Sequence, residues 1–416
     1  MKGRLKFILE ASKLKKKPRS GFLWLGIKNP ETIAQHSFRV AILNWILARK
    51  IRPKINLEKI IKISLAHDLC EVYAGDITPY WGLLPKDPKK RKEVLKRWIR
   101  LPKKIKEKRD AIKLKKEKKA IYKLVRSLEP RLQKEIINAW LDYERFGSSE
   151  GRFVRQGDKV ETLFQAIEYW GSKPDSPVVG WWEEVEDLVD EPVLKDFLEK
   201  IEQKFYKRKK ADGEIKFISE VGRLKSQPRT GWVLRGVKNP ETIAEHGFIL
   251  ALIVWLLGGK INREKGLKMA LIHEICEIYA KDKTPYHYFC PKEKRELREI
   301  LRRWPRSSRK KKISRFLKDC RQEQRSFMKI LKELPLDLKR EILYLWDDFK
   351  KRKSREGRFV NQAYWVSTFI QAAQYWKKDK KFPIKAWGEQ LLEFIDDPDL
   401  LDLFSEINRK FKLKLK

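Results

Sequence analysis

Only two histidines, His36 and His67, occur in residues 1–206, and carboxylates crowd the second of them. Asp68 follows it directly, Glu71 lies one helical turn further on the same face, and Asp76 comes next. A single histidine on an apolar stripe is ordinarily a satisfied core residue, so neither histidine argues for chemistry by itself. Burying this many ionisable groups without compensation is costly, by several kcal/mol on an order-of-magnitude scale. A divalent cation is the economical compensation, because it neutralises carboxylates and takes imidazole lone pairs. A fourth ligand must come from elsewhere in the chain. Asp158, in Arg155-Gln156-Gly157-Asp158-Lys159-Val160-Glu161, is the best candidate. Mixed imidazole and carboxylate ligands suit Mn, Co, Ni, Fe or Zn better than Ca, and Mg stays open.

Helices must position these groups. Asn29 can cap a helix beginning at Pro30 and running to about Arg49, with Ile33, His36, Val40 and Leu47 on one stripe. Asn56 can start a second helix through Ile60, Ile63, His67 and Cys70, ended by Gly75 as a left-handed C-terminal residue. Further periodic segments cover roughly 88–99, 106–127, 130–144, 150–170 and 179–206. No alternating strands with hairpin turns interrupt them, so the expected fold class is all-α.

The pattern is written twice. Lys28-Asn29-Pro30-Glu31-Thr32-Ile33-Ala34 recurs unchanged at 238–244, Gly151-Arg152-Phe153-Val154 at 357–360, and Thr78-Pro79-Tyr80 at 284–286. Leu5-Lys6-Phe7-Ile8 answers Ile215-Lys216-Phe217-Ile218, and Trp181, Asp190 and Pro192 answer Trp387, Asp396 and Pro398. A period of roughly 200 residues is a whole domain rather than a solenoid unit. The chain therefore reads as a tandem duplication: a domain over 1–206, a polar linker over 207–213, and a second domain over 214–416.

The H…HD…D arrangement is where the sequence resembles a known family, the HD-domain metal-dependent phosphohydrolases. More narrowly, it is similar to the YfbR-like 5′-deoxynucleotidase branch. The resemblance rests on Pro30-Glu31-Thr32-Ile33-Ala34-Gln35-His36, on the stretch from Leu65-Ala66-His67-Asp68 through Glu71 and Gly75-Asp76-Ile77-Thr78-Pro79, and on Arg152 to Glu161. It implies two tandem helical HD bundles. It also implies that His36, His67, Asp68 and Asp158 ligate one divalent metal, while Glu71 and Asp76 serve as general base or acid, Asp76 also reaching the sugar. Arg19, in Pro18-Arg19-Ser20-Gly21, would hold a phosphate bidentately or else be a solvated surface charge. Two-metal relatives need several more histidines, and this chain has five in all, so a mononuclear site is expected. The activity implied is removal of the 5′-phosphate from nucleoside monophosphates. Other HD hydrolases act on nucleoside triphosphates, alarmones or diesters, and these remain alternatives.

The second copy keeps His246, His273, Glu277 and Asp282, with His287 extra, but Asp68 has become Glu274 and Asp158 aligns with Tyr364. Lys281 replaces Gly75, which should alter the turn that aims the aspartate. A longer carboxylate shifts a metal, and a phenol is a poor ligand at neutral pH, so the second copy reads as catalytically silent. It would pair with the first as the second subunit of a dimer does. The rival role is nucleotide regulation through Tyr364, Trp365 and Arg358.

Composition bounds the rest. The 416 residues carry 97 Lys+Arg against 57 Asp+Glu, a formal charge of +40, with 42% hydrophobic residues. That apolar share supports real cores and excludes wholesale disorder. The charge admits a nucleic-acid partner, but its runs interleave with Glu and apolar residues, so a solvated Lys-rich surface is the favoured reading. The apolar runs 41–48 and 251–257 are too short to span a bilayer, and the opening residues show no secretory leader. Four cysteines without a CxxC pair fit a reduced, cytoplasmic setting.

Overall fold

The computed structural model describes residues 1–78, 81–96, 100–171, 176–282, 300–301 and 309–413. The chain forms two compact units, Leu9–Ile218 and Met1–Ile8 together with Ser219–Lys416. Spatial units and sequence repeats thus differ at their edges: segment 215–218 belongs to the first unit and its equivalent 5–8 to the second. Both units are helical. Among the described residues the only extended pairings are the isolated bridges Pro18–Thr32 and Pro228–Thr242.

The first unit is organised around the helix Ile33–Ala48, whose sixteen residues are all buried. It packs on Leu57–Ala66 and on the long helix Ser149–Trp170, and these two also pack together and against Pro130–Arg145. The expected apolar stripe is therefore too narrow: a helix covered on every side has no polar face to show. Its start also differs from the expected Asn29 cap. Thr32 Oγ1 accepts from Gln35 N at 3.3 Å while Gln35 Oε1 accepts from Thr32 N at 2.8 Å, a reciprocal capping box. That box satisfies two orphan donors where Asn29 could satisfy one. Asn56 does cap the next helix, accepting from Lys59 N at 2.9 Å, and Ser148 caps Ser149–Trp170 through Gly151 N. The second helix is shorter than expected: it ends at Ala66, passes through a turn at 67–70 and resumes as Glu71–Ala74. Likewise, the segment read as 179–206 is two helices, Val178–Leu188 and Pro192–Phe205, separated ahead of Pro192.

The second unit repeats this plan with Ile243–Leu257, Arg263–Ile272, Leu336–Lys351 and Arg355–Lys378. Ile243–Leu257 and the turn after it are long and apolar enough to cross a membrane by composition, more than the short run 251–257 suggests. Yet 89% of that window is buried, as in a core helix.

Candidate metal centre and its cavity

In the first unit the fold brings the expected ligands to one point. His36 stands at the first turn of the central helix, His67 and Asp68 at the turn after Ala66, and Asp158 on the long helix facing both. His36 Nε2 lies 2.9 Å from Asp158 Oδ1 and 3.4 Å from His67 Nε2. His67 Nε2 lies 3.2 Å from Asp68 Oδ2, and the remaining cross distances from the two rings to these oxygens are 3.9 Å. Ligands bound at about 2.1 Å to one ion sit roughly 3–3.5 Å apart, so His36, His67 and Asp158 need little movement to share a cation, while Asp68 stands at the edge of this cluster, nearest His67. The tautomers agree. His67 Nδ1 donates to the Ser64 carbonyl at 2.7 Å, and His36 Nδ1 faces Glu161 Oε2 at 2.6 Å, which leaves both Nε2 atoms for the centre. All four side chains are buried or nearly so, and Glu71 beside them buries an Oε2 that has no hydrogen-bond partner among the described residues. This set fits a divalent cation.

Electrostatics follow from that crowding. Burial and Arg19 oppose a proton on His36, yet Glu161 and Asp158 outweigh them and push its pKa up to about 9 in the cation-free centre. Burial alone would raise Asp68 and Asp158. For Asp68 the charges of His67 and Arg19, and for Asp158 those of Lys159 and His36, hold the carboxyl well below its usual range instead. Glu71 goes the other way: burial, then Asp68 and Asp76, push its carboxyl well above the usual range. Two neighbouring carboxyls are thus driven apart, which is how acid and base roles are separated.

Around the centre lies a cavity of ≈ 650 Å³, lined by Arg19, Glu71, Asp76, Arg155, Lys159 and, on its apolar side, Phe22, Tyr143 and Trp181. Arg19 is not a solvated surface charge. Its side chain is 15% exposed, and its guanidinium donates to Asp68 Oδ2 and Thr162 Oγ1, each at 3.1 Å. Asp76 is fixed by Ser20 N, which donates to its Oδ2 at 2.6 Å. Phe22 and Trp181 stack with centroids 5.4 Å apart. Pro79, Tyr80, the segment 284–286 and the extra His287 lie outside the described residues, as does Cys290.

Several supporting groups escaped the sequence reading. Glu161 is fully buried between His36 and Arg39, whose Nε donates to it at 2.5 Å, while Arg39 Nη1 reaches Glu168 at 2.6 Å. Tyr143 donates its hydroxyl to Asp158 Oδ2 at 2.7 Å. Gly157 lets the long helix press against the central one, since a Cβ there would overlap the Asn44 amide. A signal was available in the duplication: Arg39, Asn44, Tyr143, Gly157 and Glu161 become Ile249, Val254, Phe349, Ala363 and Ser367.

The second unit brings His246, His273 and Glu274 together, with ligand atoms within 4.8 Å of one another, but around different partners. Arg229, the equivalent of Arg19, donates to Tyr364 Oη at 2.7 Å and to Glu274 Oε1 at 3.3 Å, and lies 3.1 Å from His246 Nδ1. Burial pushes His273 down to about 3, with the Arg229 charge acting in the same direction. The expected change in the turn at Lys281 does not occur. Lys281 adopts φ 63°, close to the φ 78° of Gly75, and Asp282 Oδ2 still accepts from Thr230 N at 2.6 Å. The surrounding packing holds a strained backbone that glycine would adopt freely. Nor do Tyr364, Trp365 and Arg358 form one recess: Tyr364 faces Arg229, Trp365 stacks on Phe394 at 4.9 Å, and Arg358 is exposed.

Comparison with known proteins agrees with this geometry. The HD domain matches twice, at residues 11–188 and 221–394, so the chain belongs to the HD-domain family and holds two copies of the domain. It is an HD-domain phosphohydrolase. The relatives include the 5'-deoxynucleotidase HDDC2 of Mus musculus, 27% identical over 203 residues, which are 47% of this chain and 86% of that protein. The 5'-deoxynucleotidase hdd1 of Schizosaccharomyces pombe is 31% identical over 199 residues, 46% of this chain and 85% of that protein. The human HDDC2 is 26% identical over 201 residues, 46% of this chain and 83% of that protein.

Proposed function

We propose that the first unit removes the 5′-phosphate from deoxyribo- or ribonucleoside monophosphates. The observation that supports this reading is the placement of Arg19 on Asp68, beside the cluster of His36, His67 and Asp158, at a cavity of ≈ 650 Å³ with aromatic residues in its lining. Ligand cavities of about 300–1,000 Å³ are usual for molecules of nucleotide size.

His36, His67, Asp68 and Asp158 would hold one divalent cation. When bound, such an ion supplies positive charge to a phosphate ester and makes neighbouring water more acidic. Arg19 binds the phosphate through its guanidinium fork and offsets charge growing on the transferred group. Glu71, whose carboxyl is pushed up by burial and by Asp68 and Asp76, is the group suited to give a proton to the leaving 5′-oxygen. Asp76, anchored through one carboxylate oxygen by Ser20, offers the other to the sugar. Trp181, backed by the buried Phe22, gives a base a surface to stack on. The second repeat would support this site as the partner subunit of a dimer does, in a cytoplasmic enzyme.

The test is phosphate release from a panel of ribo- and deoxyribonucleoside 5′-monophosphates with Mn or Co supplied, wild type beside Asp68→Ala. Turnover that disappears in the variant supports the proposal and ranks the substrates. Metal binding without turnover of any monophosphate sinks the substrate assignment and directs the search to triphosphates, alarmones or diesters.

A further inference from the structure

The second repeat has kept two histidines and a carboxylate at the equivalent of the metal centre, yet its buried charge is balanced by something other than a metal. We propose that the guanidinium of Arg229 is a built-in counter-ion that takes over the charge-balancing role of the cation there, so that this half of the chain is charge-balanced without a metal.

The positions correspond one to one. Arg229 sits in Pro228-Arg229-Thr230-Gly231 as Arg19 sits in Pro18-Arg19-Ser20-Gly21. Arg19 touches only one of the four ligands, Asp68, within hydrogen-bond distance. Arg229 lies within 3.3 Å of the equivalents of two, Glu274 Oε1 and Tyr364 Oη, and 3.1 Å from His246 Nδ1, the ring nitrogen that on His36 faces Glu161 and not the centre. Its Nη1 also donates to Thr368 Oγ1 at 3.2 Å and Glu241 Oε1 at 3.4 Å. With so many acceptors its side chain is 6% exposed, against 15% for Arg19.

Charge explains the exchange. Replacing Asp158 by Tyr364 removes one of the two ligand carboxylates, so a single positive charge now balances Glu274 where the first centre calls for a dication. The phenol suits this arrangement, accepting from Arg229 at 2.7 Å. Proximity of His246, His273 and Glu274 alone does not exclude an ion. A guanidinium held against Glu274 and Tyr364 opposes one, because a dication would be forced close to it at low dielectric. The residues that would orient a ligand histidine have gone too, Glu161 and Arg39 being replaced by Ser367 and Ile249. Both terminal nitrogens of Arg229 are engaged within the protein, so its fork is not available to a phosphate as that of Arg19 is.

The experiment counts metal and measures melting on the full chain. After loading with Mn or Zn and desalting, wild type should hold one equivalent, His36→Ala none, and His246→Ala one. A second equivalent that survives His36→Ala and disappears in His246→Ala overturns the proposal. Separately, Arg229→Met should lower the melting temperature by on the order of 5 °C with or without chelator, and Arg229→Lys should recover part of the loss. An Arg229→Met chain that melts like wild type overturns the proposal whatever the metal count. If Arg229→Met fails to fold, adding Glu274→Gln should restore folding by removing the stranded charge, and a double variant no better than the single one counts against the proposal. No bound metal at all would sink the metal reading of the first repeat, and the melting comparison would still decide this one.

Discussion

The two repeats share their capping boxes, their helix order and even the strained turn before the last carboxylate, yet they balance buried charge differently. In the first, two histidines and two aspartates face one another with Arg19 held to the side, and a second layer of Glu161, Arg39 and Tyr143 fixes their orientation. In the second, that layer is Ser367, Ile249 and Phe349, and Arg229 has closed onto Glu274 and Tyr364. The same fold thus accommodates a centre built for an exchangeable dication and one closed by an internal monocation. Helix packing constrains the scaffold, and a handful of buried polar residues determines the chemistry.

The sharpest way to break this comparison is at the paired positions 158 and 364. Asp158→Asn should abolish metal retention and lower kcat/KM by at least about 10³-fold, while Tyr364→Phe should leave phosphate release within about twofold. Equal losses in the two variants would show that both centres act in turnover. Next comes the second layer. Glu161→Gln should weaken metal affinity roughly 10–100-fold with the ligands intact. It should also change a pH signature of the chelated chain. His36, raised to about 9, contributes stability fully present below about pH 6.5 and lost as pH rises through 9. Melting of the metal-free protein should therefore fall across that window and flatten in Glu161→Gln, while His273, neutral above about 3, adds no slope there.

Smaller effects concern packing. Gly157→Ala should destabilise the first unit by about 1–3 kcal/mol, because the new methyl meets the Asn44 amide. Asn44→Val with Gly157→Ala, the pair found in the second repeat, should recover part of that loss in a denaturant titration. The smallest expected change is Lys281→Gly, a gain of about 1 kcal/mol from relieving a positive φ at a non-glycine residue. A loss instead would mean that the Lys281 side chain contributes more than its backbone strain costs.

The helical class, the duplication and the four ligand candidates were legible in the sequence because each leaves a local or repeated pattern. Histidines and acids at helical spacing declare themselves, and a domain written twice exposes which positions changed. Helix boundaries were less legible: Thr32 beats Asn29 because its capping box needs Gln35 three residues on, a reciprocal pair that residue preference alone does not weigh. The turn at 67–70 and the break before Pro192 arise where packing outcompetes continued periodicity.

What the sequence by itself determined is which groups could share a cation in one repeat and which of them the other repeat lost. Only the tertiary structure decided what stands in place of the loss. Arg19 and Arg229 have nearly identical neighbours along the chain, and whether a guanidinium lines a cavity or fills a centre depends on acceptors more than a hundred residues away, Asp158 or Tyr364. A side chain as long as arginine goes to the position where buried donors and acceptors are best satisfied. That balance is set among helices brought together by folding, so it is not written in any single segment.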